Sequence, residues 1–154
     1  MAARTIAVIG AGACDERVAN CARAVGRLLA EAGCVVVTGG LGGVMQAASR
    51  GAKEAGGLVV GIVPGPDPTS ANGYVDVAIA TGMGDARNAI LANTAEAFVA
   101  VAGSWGTLSE IAFALKRGKR VVALEMQAPG LAATGQDVIQ AEGPEEAVRL
   151  VLAD

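Results

Sequence analysis

The chain has 154 residues, 12 basic against 15 acidic side chains for a net charge of −3, 53% hydrophobic residues, and 33 alanines beside 22 glycines. That length suits one domain, spanning residues 1–154, and a chain of this size buries roughly 70% of its unfolded surface without help from disulfides or a structural metal. The absence of histidine excludes Ser-His-Asp and Cys-His catalysis, imidazole bases and histidine metal sites, and scattered basic residues on an acidic chain argue against nucleic acid or a membrane surface as partner.

Taken in order, residues 1–4 hold no apolar targeting core, and no later apolar run approaches the roughly 20 residues of a membrane span, so a cytoplasmic location is expected. A Val/Ile-rich run at 5–10 predicts a buried strand, followed by Val18, Ala22, Val25, Leu29 and Ala32 at helical spacing and a helix stop at Gly33. A strand at 34–38 leads to a helix on Val44, Ala48, Ala52 and Ala55, closed by Gly56. Strands at 58–63 and 75–80 flank an irregular stretch, 64–73, placed over a sheet edge as a lid candidate. A short helical segment begins around Gly82–Asn88, and a strand at 97–101 precedes a helix on Leu108, Ile111, Ala112 and Leu115 that stops at Gly118. A strand at 120–124, a second irregular stretch at 126–136 and a helix opened by Pro144 complete the chain. Alternating strands and helices predict an α/β fold: a Rossmann-like, doubly wound, mainly parallel sheet with helices on both faces. Cys14, Cys21 and Cys34 match no zinc or CxxC spacing and read as reduced thiols, with no metal site expected.

Ligands of such sheets bind beyond the carboxyl ends of the strands, where three loops carry information. In the first, Gly10 and Gly12 begin like a dinucleotide fingerprint, but Asp15 stands where the third glycine belongs, so a tight strand-to-helix turn is the preferred reading. In the second, Gly39, Gly40, Gly42 and Gly43 supply more freedom than a turn needs; either a ligand phosphate or ribose approaches the main chain there, or two helices do, and the ligand is preferred. The third, Gly103, Ser104, Trp105, Gly106 and Thr107, leads into a helix whose free N–H groups can converge on an anion. Thr107 and Glu110 also fit a capping box, which competes with a functional role for Glu110. Arg87 fits either a surface arginine paired with Asp85 or Glu96, or a phosphate clamp beside the glycine loops, the latter preferred.

These segments, Gly39 to Met45, Met83 to Asn88 and Gly103 to Ala112, resemble the lonely-guy superfamily, once labelled lysine decarboxylase, and most closely its molybdenum cofactor carrier branch. In the superfamily's nucleoside 5'-monophosphate hydrolases the resemblance places catalytic roles on Arg87 and Glu110 and phosphate binding on Gly103, Ser104, Gly106 and Thr107. Met83, Asn88 and Trp105 fall in the same motifs and are expected at the ligand, with Trp105 stacking on it or packing on a neighbouring subunit. Ala102 and Ser104 replace the enzymes' Pro and Gly, and Asn88 replaces a Lys, removing a positive charge. A pyridoxal-dependent decarboxylase is rejected, because Lys53, Lys116 and Lys119 all lie at helix ends rather than at a strand's carboxyl end.

The expected function is binding of a phosphorylated nucleotide-like small molecule, with molybdenum cofactor or a nucleotide as the bound ligand and no cofactor required. The alternative is hydrolysis of a nucleoside 5'-monophosphate by Arg87 and Glu110. Phe113 and Ala114, off the helix's apolar face, are expected in a homodimer or higher homo-oligomer interface, and Cys14 reads as a buried small residue or a low-pKa thiol.

Overall fold

A computed structural model describes residues 2–126 and 138–154. Strands β1 (Thr5–Gly10), β2 (Val35–Thr38), β3 (Val59–Val63), β4 (Val77–Ala80), β5 (Ala97–Val101), β6 (Arg120–Leu124) and β7 (Ile139–Gln140) form one sheet in the order β4-β3-β2-β1-β5-β6-β7. Every neighbouring pair among the described residues is parallel. The interior strand β5, Ala-Phe-Val-Ala-Val, is buried at all five positions, as expected of a strand covered on both faces.

Alternation along β1 divides the core in two. Ile6 and Val8 point to a cluster built with α1 (Glu16–Glu31), α2 (Val44–Glu54) and α5 (Pro144–Leu152). Ala7 and Ile9 point to a second cluster with α3 (Arg87–Thr94) and α4 (Trp105–Lys116). Helix α1 starts where Asp15 accepts the Val18 N–H at 2.9 Å and buries Val18, Ala22, Val25 and Leu29. It crosses α2 so closely that a Cβ on Gly26 would lie 2.0 Å from the Ala48 carbonyl oxygen and one on Gly51 1.9 Å from that of Arg23. Gly33, Gly56 and Gly118 follow α1, α2 and α4 with φ of +81°, +75° and +70°, the left-handed closure that a glycine makes easy.

Differences from the sequence reading are local. Strand β4 begins at Val77 rather than at residue 75, because the Val75 N–H turns back to the Asn72 carbonyl. Strand β7 has only two residues, too few for a periodic signal in the sequence. The stretch 64–73 contains a short 3-10 turn, Pro68–Ser70, and is tied to the second glycine loop by Asn72, whose N–H donates to Gly40 O at 2.8 Å and whose Nδ2 donates to Leu41 O at 2.9 Å. Apart from Met126, the second irregular stretch, 126–136, lies outside the described residues.

The expected interface pair also changes. Ala114 is fully buried in the α3–α4 core, and Phe113 is half-buried beneath the Arg117 guanidinium, 5.3 Å from its ring centroid. Among the described residues the large exposed apolar side chains are instead Leu58, Val77, Ile79, Met83 and Trp105. No helix among the described residues is long and apolar enough to cross a membrane.

Candidate functional site

The order of the sheet reverses between β1 and β5, whose Gly10 and Val101 are paired, and the loops leaving these two strands flank the resulting crevice. On the β1 side the preferred turn reading agrees with the geometry, since Asp15 is the N-cap of α1. A Cβ on Gly10 would lie 2.2 Å from the Val101 carbonyl oxygen, so glycine there lets the two strands meet. A Cβ on Gly12 would meet nothing within 4 Å, and the residue is exposed.

The second glycine loop packs on the first. Thr38 Oγ1 accepts the Gly40 N–H at 3.0 Å, the Val44 N–H donates to Ala11 O at 2.9 Å, and a Cβ on Gly43, where φ is +63°, would lie 2.2 Å from that same oxygen. Gly42 abuts the Gly12 carbonyl. The protein's own chain, rather than a bound ligand, makes the close approach at Gly43, and the same holds at Gly39, where a Cβ would sit 2.7 Å from Arg87 Nη1.

Arg87, the first residue of α3, is half-buried and paired with neither Asp85 nor Glu96. Its Nη1 donates to Gly39 O at 2.7 Å and to Ile62 O at 2.8 Å, and its Nε donates to Asn88 Oδ1 at 3.0 Å. Three of its five donors are thus spent on the ends of β2 and β3 and on its neighbour, which leaves the Nη2 edge. Burial lowers its affinity for the proton, with Glu110 and Asp85 opposing that shift. Asn88, itself buried, holds the guanidinium in this orientation. The sequence offers Asn88 as a ligand-binding residue and as a lost charge, and its contact with the Arg87 guanidinium is not legible there.

The third loop differs from the expected capping box. Helix α4 begins at Trp105 with Ser104 at the N-cap and no side-chain cap, so Thr107 lies in its first turn, buried, and Glu110 lies a turn further on. Among the described residues no Glu110 hydrogen bond closes the helix end, and the first N–H groups of α4 have no side-chain partner. Gly103, at φ +138°, leaves no room for a Cβ, which would meet Thr107 Oγ1 at 2.4 Å, whereas Gly106 faces open space. Ala102 adopts φ +51°, and its N–H donates to Leu124 O at 2.9 Å. Proline, locked near φ −65° and lacking an N–H, fits neither feature.

Burial pushes the Glu110 carboxyl up to about 7, against an opposing pull from Arg87. The Cys14 thiol is likewise raised, by burial and then by Asp15, the direction opposite to a low-pKa thiol. Trp105 is 85% exposed at the start of α4, and Met83 is exposed beside the 3-10 turn Gly84–Ala86. Lys119 caps the carboxyl end of α3 through Asn93 O at 3.0 Å, and Lys53 pairs with Asp76 at 2.7 Å, so both ammonium groups are engaged in structural contacts. Among the described residues no group of three or more Cys, Asp or Glu side chains is placed to hold a metal.

Residues 3–149 match the SLOG cluster4 family. An uncharacterized protein of Archaeoglobus fulgidus is 49% identical over 148 residues, covering 96% of this chain and 94% of that one. Among solved structures, the molybdenum cofactor binding protein from the phototrophic bacterium Rippkaea orientalis superposes with a TM-score of 0.93 at 38% identity, covering 98% of this chain and 96% of the other. The molybdenum cofactor carrier protein from Chlamydomonas reinhardtii superposes with a TM-score of 0.88 at 37% identity, covering 97% and 96%.

Proposed function

The chain belongs to the SLOG cluster4 family, and from that premise we propose that it binds a phosphorylated pterin of the molybdenum cofactor type as cargo, for storage or delivery. The observation that carries this reading is the amino end of α4 at the crevice between β1 and β5, where backbone N–H groups without side-chain partners among the described residues and the positive end of the helix dipole suit a phosphate. The fixed Nη2 edge of Arg87 supplies a positive charge whose position does not depend on the ligand. Gly12, Gly103, Gly106 and Thr107 shape this cradle, with Met83 and Trp105 at its exposed rim. Two carrier or binding proteins with this fold, at 37–38% identity over nearly the whole chain, support the choice of cargo.

The test is to purify the protein from cells that make molybdenum cofactor, then measure molybdenum by mass spectrometry and oxidised pterin by fluorescence. Near-stoichiometric pterin in the wild type and a loss of about tenfold in Arg87→Ala are expected. Equal pterin in both proteins, or none in either, refutes the reading. One observation favours a second reading, hydrolysis of a nucleoside 5'-monophosphate: a carboxyl held near 7 is poised to exchange a proton with a leaving base at neutral pH. Release of free base and ribose 5-phosphate from AMP, abolished by Glu110→Ala, selects hydrolysis over carriage.

A further inference from the structure

A groove of about 280 Å³ runs between the amino-terminal halves of α1 and α2, on the helix layer opposite α3 and α4. Asn20 and Arg23 of α1, Gln46 and Arg50 of α2, and Tyr74 line it, while Ala19 and Ala47 add only methyl groups. It lies on the amino-terminal side of the close α1–α2 crossing at Gly26 and Gly51.

The groove is organised from two sides. Glu54 receives Arg23 through Nε at 2.9 Å and Nη2 at 2.7 Å, and Arg50 through Nε at 2.9 Å. One carboxylate therefore orients two guanidinium groups, leaves one positive charge unbalanced, and leaves Nη donors of both arginines uncommitted among the described residues. On the other side, Asn72 is tied to Gly40 and Leu41, and its Oδ1 accepts the Tyr74 N–H at 3.0 Å, which sets the chain's only tyrosine at the groove. Among the described residues the Tyr74 hydroxyl and the Asn20 and Gln46 amides make no hydrogen bond.

An aromatic ring, two amides that can both donate and accept, and an unbalanced pair of guanidiniums make up the chemistry that recognises a flat nitrogen heterocycle carrying a negative group. The volume lies just under the roughly 300–1,000 Å³ of small-molecule pockets and suits no more than one bicyclic ring system. We propose that this groove is a second binding site, for a small bicyclic heterocycle bearing one anionic group, which rests on Tyr74, presents its polar edge to Asn20 and Gln46, and pairs its charge with Arg50 and Arg23. The site is separate from the cargo cradle at α4 and does not depend on it.

Pterin-6-carboxylate has these features, lacks a phosphate, and reports binding by its own fluorescence. Saturable binding to the intact protein is expected, weakened about tenfold or more by Tyr74→Ala and by Arg50→Ala. Tyr74→Phe, which keeps the ring, and Arg87→Ala, which removes the guanidinium of the other site and lines no part of the groove, are expected to stay within about threefold of wild type. Absence of saturable binding overturns the proposal, as does binding that survives both groove substitutions. Binding abolished by Arg87→Ala also overturns it, because the probe then occupies the α4 cradle.

Discussion

Replacing Glu110 by Gln removes an ionisable group from α4 while preserving its size and a polar end. In the folded protein burial raises this carboxyl to about 7 from an ordinary 4.5, and Arg87 offsets only part of the shift. The native state thus binds a proton that the unfolded chain has already released. With the folded value above the unfolded one, the group's contribution is fully present below about pH 4.5 and is lost as pH rises through 7. At about 1.4 kcal/mol per pH unit, the gap between the two values corresponds to about 3 kcal/mol. Urea unfolding of the wild type and Glu110→Gln, at pH 4.5 and at pH 8, isolates this amount because all other titrating groups are common to both proteins. The two are expected to be close in stability at the lower pH, with the variant about 3 kcal/mol more stable at the higher. A difference that stays constant across this range refutes the claim that α4 holds a desolvated carboxyl.

Two further substitutions test the backbone arguments. Gly26→Ala would gain about 1 kcal/mol on helix propensity alone, but its Cβ would press on the Ala48 carbonyl at 2.0 Å, and forcing the helices apart is expected to cost about 2 kcal/mol net, read as a lower melting temperature; a higher one contradicts the close crossing. Ala102→Gly relieves about 1 kcal/mol of left-handed strain, partly offset in the unfolded chain, and should match or slightly exceed wild-type stability, whereas Ala102→Pro loses the bond to Leu124 O and cannot reach φ +51°, at a cost of about 3 kcal/mol or more. A proline variant that melts with the wild type would exclude the backbone conformation described.

Glycine illustrates how far local reading reaches. Gly33, Gly56 and Gly118 were legible as helix stops because the need for a left-handed residue is imposed within one turn of chain. Gly39 and Gly43 stood out by clustering, but whether a ligand or the chain itself came close could not be read, since the atoms involved, the Arg87 guanidinium and the Ala11 carbonyl, lie far away in sequence. Gly26 and Gly51 carried no signal, although a methyl at either would collide with the facing helix. Tyr74 was equally silent, because its place at the groove depends on Asn72 bonding to a different loop.

By itself, then, the sequence determined the alternation of strands and helices and hence a parallel sheet covered on both sides, because burial on two faces demands unbroken apolar runs and periodicity is a local property. It also marked Arg87, Glu110 and the glycines of three loops as residues worth locating. Tertiary structure alone decided that Arg87 is anchored to the ends of β2 and β3, that α4 starts uncapped at Trp105, and that Glu110 gives up hydration enough to hold its proton near neutrality. Carbonyl oxygens and lost water belong to no residue type, so they leave no trace in sequence and appear only when the chain brings its distant parts together.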